Sequence, residues 1–326
     1  MGEMPRYLVS DLPDLAKALY TMGIDYYRKN QMKQATDALE HSLRLYHGLA
    51  KQHPKVYLSD LAAVWIVLGE CYQSGQRMRE AAWAFSESLK IFRQLVVTDS
   101  GTYLQHLAGN LNRLGVLYRQ TGQEQEVEAL LTESLRIYRQ LNQTADAFLP
   151  YVGEVLKNLG DFYRVQKKYQ SAEPAYDEAF QIAGRLSVKN PSEMRPEMSK
   201  ILNDLGIIYR ATGRLEQAEH AYSEALVICR ELAKETPSYI YTVAMALQNL
   251  GNLHSSRGKP LLAEPMYQEA LKIMRELAEK DSNYLDSVVL VLHNLCLFYD
   301  DMGSPAQADA ARRELQVIMS AQSGSE

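Results

Sequence analysis

The sequence has no long apolar run, although 46% of its 326 residues are hydrophobic. A membrane-spanning helix needs about 18 or more consecutive apolar residues, and none of the apolar runs approaches that length. The N-terminal stretch MGEMPRYLVSD lacks the apolar core of a secretory signal peptide. Gly2 is not followed by Ser or Thr at the position that N-myristoylation prefers. We therefore expect a cytoplasmic protein that has no membrane partner.

Neither sign of charge dominates the chain. It contains 35 Lys and Arg residues against 40 Asp and Glu residues, which gives a formal net charge of −5. Nucleic-acid-binding proteins usually carry a basic surface, so this balance argues against a nucleic-acid partner. Pro and Gly are scarce as well, at 11 and 18 residues, and most stand at regular intervals. That regularity argues against disorder and points to a repeated structure.

Cysteine and catalytic motifs are also scarce. The three cysteines, Cys71, Cys229 and Cys296, stand at helix-packing positions, and we expect small buried side chains in a reducing compartment. The seven histidines include no pair with metal-ligand spacing. There is no Gly-rich phosphate loop and no Gly-x-Ser-x-Gly motif. We predict no cofactor, no metal site and no enzymatic activity.

The sequence does contain a strongly patterned stretch, WIVLGECYQSGQRMREAAWAF, which runs from Trp65 to Phe85. Trp65, Leu68, Gly69 and Tyr72 follow the spacing i, i+3, i+4, i+7, which places them on one face of a helix. A glycine inside a helix costs about 1 kcal/mol relative to alanine, so a packing reason is expected for Gly69. Without a Cβ atom, Gly69 lets a second helix approach closely.

The second helix of this stretch begins after Ser74 and Gly75, which break the first one. Ala81 is small enough for the close crossing, and Phe85 fills the space beside it. The result is a pair of antiparallel helices that still exposes one apolar face. A single pair cannot bury that face, so several copies are expected to stack on one another.

Seven copies of the pattern follow one another along the chain. The residues at the Gly69 position are Gly23, Gly69, Gly115, Gly160, Gly206, Gly251 and Cys296, and they are spaced by 45 or 46 residues. Three residues after each glycine position stands Tyr, or His254 in the sixth repeat, and this histidine is expected in the core. The turn between the two helices is expected at Asn30, Gly75, Gly122, Gly213, Gly258 and Gly303, with Lys167 and Lys168 in the fourth repeat.

These observations predict an all-α chain of seven helix pairs over residues 1–321, followed by a flexible tail at 322–326. The last repeat places Arg312 and Gln316 where earlier repeats place large apolar residues. Such a polar outer face is typical of a capping repeat. We therefore expect a monomer.

The pattern resembles that of the tetratricopeptide repeat (TPR) family, W-x-x-L-G-x-x-Y followed by A-x-x-x-F. Ala172-Glu173-Pro174-Ala175-Tyr176 and Ala263-Glu264-Pro265-Met266-Tyr267 also resemble the start of the second helix in kinesin light chain repeats, which are longer than 34 residues. The resemblance implies a right-handed α-solenoid whose first helices line a concave groove. The groove-facing positions would then be two, three and six before the glycine, and one, four and five after it.

Amides recur at these groove-facing positions. They are Asn112, Asn158, Asn203, Gln248, Asn249 and Asn294. An amide offers both donors and an acceptor, so it can pair with the backbone of an extended peptide. Kinesin light chain repeats are similar in carrying an asparagine ladder over a bound peptide. The alternative interpretation is that asparagine is only a tolerated polar residue on an exposed helix face.

Arginines form a second column, four residues after the glycine. Arg119, Arg164 and Arg210 occupy it in three consecutive repeats, and Lys157 could assist them. Guanidinium groups on adjacent helices could bind carboxylates or phosphates of a ligand. The alternative is that acidic neighbours neutralise the column; the candidates are Glu154, Asp161 and Asp204.

The sequence thus predicts a non-enzymatic scaffold or adaptor that binds a protein or peptide, an acidic one if the arginines take part. A second hypothesis is that the chain is the sensor or regulatory half of a larger signalling or defence system. Affinity capture of partners would separate these hypotheses from an enzymatic role.

Overall fold

The structure is a computed structural model that describes residues 11–323, with side chains from 11 to 320. Within that part of the chain there are fourteen α-helices and no strand, as the repeat pattern predicts. In chain order the helices are α1 (Leu12–Arg28), α2 (Met32–Gln52), α3 (Pro54–Ser74), α4 (Met78–Thr98), α5 (Ser100–Gln120), α6 (Glu124–Asn142), α7 (Leu149–Val165), α8 (Tyr169–Ser187), α9 (Pro191–Ala211), α10 (Leu215–Glu235), α11 (Ile240–Ser256), α12 (Pro260–Ala278), α13 (Leu285–Asp301) and α14 (Pro305–Ser323).

The fold is an all-α solenoid of seven helix pairs, in which odd-numbered helices are the first and even-numbered helices the second of each pair. Prolines begin α3, α9, α12 and α14, at the helical position where a missing N–H costs nothing. Short 3₁₀ turns precede α7, α11 and α13, at Asp146–Phe148, Pro237–Tyr239 and Ser282–Tyr284. The N-terminal stretch considered for a signal peptide or a lipid lies almost entirely outside the described residues, as does the predicted tail beyond Ser323.

The glycine column allows the two helices of a pair to pack closely, as predicted. A Cβ atom on Gly69 would lie 2.5 Å from the Phe85 ring, and one on Gly206 would lie 2.5 Å from the Tyr222 ring. The small-residue column twelve positions after the glycine is fully buried in every repeat. Its members are Ala35, Ala81, Val127, Ala172, Ala218, Ala263 and Ala308.

Each first helix ends in the same turn, with one left-handed residue seven positions after the glycine column. These residues are Asn30, Gln76, Gly122, Lys167, Gly213, Gly258 and Gly303. The next backbone N–H then donates to the carbonyl at the Tyr position, as when Arg77 donates to Tyr72 at 2.8 Å. This is the Schellman arrangement, which satisfies carbonyls at a helix end. The turn predicted at Gly75 does lie between α3 and α4, and its left-handed residue is the next one, Gln76, with a φ of 58°.

Contacts between Cα atoms divide the chain into two compact units, Met1–Phe162 and Tyr163–Glu326, here called the N-terminal and C-terminal units. In the N-terminal unit a buried serine on each second helix donates to a first-helix carbonyl. Ser42, Ser88 and Ser134 reach Ala16, Ala62 and Ala108 at 2.8, 3.0 and 2.8 Å. Buried alanines, Ala179, Ala225 and Ala270, occupy this column in the C-terminal unit.

The buried set agrees with the sequence analysis. Cys71, Cys229 and Cys296 are free thiols in the core, and His254 is 5% exposed. Burial raises the pKa of the Cys71 thiol to about 11. Arg312 lies exposed on α14 and pairs with Asp309 and Asp300. None of the helices described here combines the length and the apolar character needed to cross a membrane.

Candidate functional site

The predicted amides of the N-terminal unit bind one another. The Asn158 Nδ2 atom on α7 donates to the Asn112 Oδ1 atom on α5 at 2.9 Å. The Asn112 Nδ2 atom donates in turn to the Glu154 Oε1 atom at 2.7 Å. Asn112 and Asn158 are only 7% and 9% exposed, because the neighbouring helices cover them. These amides therefore join adjacent repeats and are only partly accessible to a ligand.

The same contact recurs in the C-terminal unit. The Asn249 Nδ2 atom on α11 donates to the Asn203 Oδ1 atom on α9 at 2.5 Å, and both side chains are half-buried. Gln248 is 4% exposed and belongs to the core of this unit. Asn294 is half-buried on α13. The structure thus pairs four of the six predicted amides, each pair 46 residues apart in sequence.

Two of the three column arginines bind carboxylates of the protein itself. The Arg119 Nη1 atom lies 3.4 Å from Asp161 Oδ2, and the Lys157 Nζ atom lies 3.5 Å from the same oxygen. The Arg164 Nε atom lies 3.2 Å from Asp204 Oδ1 and also 3.3 Å from the Tyr176 hydroxyl. For Arg119 and Arg164 the structure therefore agrees with the alternative that acidic neighbours neutralise the arginine column.

Arg210 differs from the other two arginines. It is exposed, and it contacts the Tyr222 hydroxyl. Within residues 11–323 no Asp or Glu oxygen lies within 4.0 Å of its guanidinium nitrogens. The residues that would correspond to Asp204 and Asp161 in the following repeat are amides, Asn249 and Asn252. Arg210 is therefore the column member that has no carboxylate partner among the described residues.

A cleft of about 340 Å³ opens beside the paired amides of the N-terminal unit. It is lined by residues of α3, α5, α6, α7 and the turn before α7, namely Ile66, Gln105, His106, Gly109, Asn112, Arg113, Tyr138, Phe148, Tyr151 and Glu154. Its volume lies within the roughly 300–1,000 Å³ typical of ligand pockets. Among the predicted site residues, only Asn112 lines it.

Aromatic rings form one wall of the cleft. Tyr138 and Tyr151 stack with ring centroids 5.1 Å apart and an interplanar angle of 12°. Phe148 lies 6.4 Å from Tyr138 and 6.3 Å from Tyr151, measured between ring centroids. Tyr151 is 46% exposed, so its ring is accessible to a ligand at the mouth of the cleft. Such a wall suits an aromatic or aliphatic side chain of a ligand.

Charged and polar groups complete the lining of the cleft. The Arg113 Nε atom donates to Glu70 Oε1 at 3.0 Å. Burial, followed by the charge of Glu154, raises the pKa of Tyr138 to about 12, which keeps this hydroxyl protonated as a donor. Burial and the nearby Arg113 lower the pKa of His106, which keeps its imidazole neutral at neutral pH. The cleft therefore offers fixed donors and acceptors rather than groups that exchange protons near pH 7.

The sequence contained one clue to this cleft. Gly109 stands six residues before Gly115, at a groove-facing position where other repeats carry larger residues such as Glu154, Lys200 and Met245. A Cβ atom on Gly109 would lie 3.1 Å from both the Arg113 Nη1 atom and the Tyr138 hydroxyl. The glycine leaves that space open. The aromatic wall could not be anticipated, because it brings together rings from α6, α7 and the connecting turn.

No metal-binding cluster was found among residues 11–323, in the sense of three or more His, Cys, Asp or Glu side chains placed to share an ion. The carboxylates near the cleft are committed to amide and guanidinium groups. The arrangement is suited to hydrogen bonding and aromatic contact.

Residues 151–231 and 197–276 match one family model described as tetratricopeptide repeat, and residues 108–146 match a second with the same description. Together these matches cover about half of the chain. No protein with a curated functional description matches the sequence.

Solved structures share the fold at low sequence identity. BtubC (BKLC) from P. vanneervenii is 23% identical with a TM-score of 0.61, over 76% of this chain and 92% of that one. A Rap protein in complex with Competence and Sporulation Factor is 15% identical with a TM-score of 0.53, over 95% and 76%. A STAND protein with a tetratricopeptide repeat sensor, PH0952 from Pyrococcus horikoshii, is 14% identical with a TM-score of 0.65, over 95% of this chain and 43% of that one.

Proposed function

Because the chain belongs to the tetratricopeptide repeat family, we propose that it is a non-enzymatic scaffold that binds a segment of a partner protein along its first helices. Such repeats are typical of protein-interaction scaffolds. The observation that carries the proposal is the cleft in the N-terminal unit, which is lined by the stacked rings of Tyr138 and Tyr151 together with Arg113 and Glu154. Tyrosine and arginine are enriched among the residues that dominate binding energy at protein interfaces.

The chemistry of the cleft suggests what the segment carries. An aromatic or aliphatic side chain of the partner fits against Tyr151 in the cleft. Beside the cleft, a backbone carbonyl of the partner can accept a hydrogen bond from the second N–H of Asn158. That side chain spends one N–H on Asn112, whereas an amide has two donors and an acceptor. In the C-terminal unit, exposed Arg210 is placed to bind a carboxylate of an acidic segment. The partner is therefore proposed to be a protein or peptide with at least one acidic residue.

The sequence-based expectations of a cytoplasmic location and a monomeric state are part of this proposal. The polar outer face of α14, with exposed Arg312 and Gln316, supports the second of them. Light scattering of the purified chain tests the monomer, and cell fractionation tests the location.

The experiment is a peptide-display selection against the full chain, followed by affinity measurement of the selected peptides. Tyr151→Ala removes the ring at the cleft mouth, and we expect at least about tenfold weaker binding because interface tyrosines often contribute 2 kcal/mol or more. Arg136→Ala on α6 is the matched control, since Arg136 is exposed and lies outside the cleft.

A second variant tests the amides. We expect the triple variant Asn158→Ala, Asn203→Ala and Asn249→Ala also to bind the selected peptides more weakly than the unchanged protein. If the selected peptides bound Tyr151→Ala and the triple variant as tightly as the unchanged protein, the first-helix surface would not be the binding surface and the proposal would be wrong.

A second candidate function is the sensor or regulatory half of a larger system. It is favoured by the likeness to the STAND protein, of which this chain matches 43% and whose description includes a tetratricopeptide repeat sensor. The gene neighbourhood provides the test. A conserved adjacent gene for an ATPase or another effector domain, whose product co-purifies with this chain, would favour the sensor role over a free-standing scaffold.

A further inference from the structure

A second cavity, of about 260 Å³, lies in the C-terminal unit on the side of the second helices. It opens between α8, α9 and α10 and is lined by Asp177, Phe180, Leu202, Leu205, Tyr209, Gln217, His220 and Ala221. We call it the Asp177 cavity. None of its lining residues lines the cleft of the N-terminal unit, and none belongs to the amide or arginine columns.

The walls of the Asp177 cavity are mainly apolar. Leu202 and Leu205 are buried, at 5% and 4% exposed, and the Phe180 ring is half-buried beside them. An apolar wall of this kind accepts methylene or aromatic groups. The volume is below the roughly 300–1,000 Å³ of typical small-molecule pockets, so it suits a single side chain.

Asp177 is the one acidic residue in this lining, which also contains the polar side chains of Tyr209, Gln217 and His220. Within residues 11–323 its carboxylate makes neither a hydrogen bond nor an ion pair. The positive charge of Arg214, the N-cap residue of α10, acts on Asp177 but is already committed. Arg214 donates to both oxygens of Glu173 at 2.7 and 2.6 Å and lies over the Tyr209 ring. A half-buried carboxylate without a partner is costly, so proteins usually pair such a group.

We propose that the Asp177 cavity is a docking site for one basic side chain of a partner protein, separate from the first-helix surface. The ammonium or guanidinium group would bind the Asp177 carboxylate, and the methylene stem would lie against Phe180, Leu202 and Leu205. Lysine and arginine bury their stems along apolar surfaces in this way while the charge stays near water. The charge and the shape of the cavity both select this occupant.

Burial, reinforced by the negative charge of Glu173, raises the pKa of Asp177, while Arg214 acts in the opposite direction. The carboxylate is therefore held in surroundings that disfavour its charge. An incoming cation would relieve that penalty, which is the condition for favourable binding.

The test uses two small probes and the full chain labelled with ¹³C in its leucine methyl groups. Nα-acetyl-lysine methylamide carries the basic side chain, and Nα-acetyl-norleucine methylamide has the same stem without the ammonium group. Shifts of the Leu202 and Leu205 methyl signals report binding. We expect the lysine probe to bind more tightly by a factor on the order of five to ten, because hydrogen bonds to charged groups exceed neutral ones.

Two variants separate charge from shape. Asp177→Asn should remove the preference for the lysine probe and leave the weak binding of the norleucine probe unchanged. Glu276→Gln is the control, because it makes the same change of charge at an exposed position of α12 outside the cavity. Gln217→Phe, at an exposed lining position, should block both probes while circular dichroism shows the helices intact.

Three results would overturn the inference. They are equal binding of the two probes to the unchanged protein, an unaltered lysine preference in Asp177→Asn, and tighter binding of spermidine than of the lysine probe, which would assign the cavity to free amines. None of these results depends on the cleft of the N-terminal unit, so this inference and the proposed function can fail separately.

Discussion

Gly206 determines how closely α9 and α10 approach each other. The Tyr222 ring occupies the space that a side chain on Gly206 would take. This ring is only 1% exposed, so its surroundings hold it in place. Because a Cβ atom there would lie 2.5 Å from the ring, Gly206→Ala forces the helices apart. We expect the free energy of unfolding to fall by about 1–3 kcal/mol, as for other overpacked cores, in urea denaturation monitored by circular dichroism.

The control for this substitution lies in the neighbouring helix. Gly184 is in α8, and a Cβ atom there would meet nothing within 4 Å. Gly184→Ala should therefore stabilise the protein by about 0.5–1 kcal/mol through helix propensity alone. Equal effects of the two substitutions would show that close packing at Gly206 does not contribute.

His254 makes stability depend on pH. It occupies the Tyr position, and its Nδ1 atom is buried without a hydrogen-bond partner among the described residues. Burial lowers its pKa below 6.5; Glu219 opposes this, while Lys259 and Arg257 add to it. Below pH 6.5 the unfolded chain therefore binds more protons than the folded one, so this contribution to stability is complete above pH 6.5 and is lost as the pH falls.

The test of this effect is His254→Tyr, which restores the residue found at this position in the other repeats. The melting temperature of the variant should exceed that of the unchanged protein by more at pH 5.5 than at pH 7.5. His106 also has a lowered pKa, but it is present in both proteins and cancels in the difference. A difference that stays constant with pH would contradict a neutral buried His254.

The turn after each first helix is strained wherever its left-handed residue is not glycine. Lys167 has a φ of 57° in the fourth repeat, whereas Gly213 has a φ of 77° at the same place in the fifth. A residue with a Cβ atom pays roughly 1 kcal/mol or more in this conformation. Lys167→Gly should stabilise the protein by about that amount, less the entropy cost of glycine, and Gly213→Lys should destabilise it, both measured as shifts of the denaturation midpoint.

The helix pairs were predictable from sequence because their causes are local. Gly69, Tyr72 and Phe85 lie within one repeat, and their spacing alone places them on facing surfaces. The amide pairs were not predictable, because Asn112 and Asn158 meet across 46 residues and their partners depend on rotamers. The repeat spacing predicted these amides at groove-facing positions, whereas in the structure Asn112 and Asn158 are 7% and 9% exposed and bind each other.

The cleft of the N-terminal unit was not predictable for the same reason. It depends on Gly109 together with rings that come from α6, α7 and the turn between them. The neutralisation of Arg119 by Asp161 was one of two open alternatives in the sequence, and only coordinates could decide it. Whether either surface binds a partner stays a prediction that the proposed experiments test.

Stability in a repeat array is approximately the sum of the repeats and their nearest-neighbour interfaces. A local defect should therefore act locally. In Gly206→Ala, backbone amides of α9 and α10 should exchange hydrogen faster than in the unchanged protein, while amides of α1 and α2 keep their exchange rates. Hydrogen-exchange mass spectrometry measures both regions in one sample. A uniform increase across all helices would show that the chain unfolds as one cooperative body.

The half-buried Asp177 carboxylate affects how this protein would respond to engineering for stability. A lone acid among Phe180, Leu202 and Leu205 lowers thermal robustness, so random mutagenesis with selection for heat tolerance should discard it early, with leucine or methionine among the replacements. Variants enriched in such a selection would be more heat-stable and would lack the carboxylate that we propose binds a basic side chain of the partner.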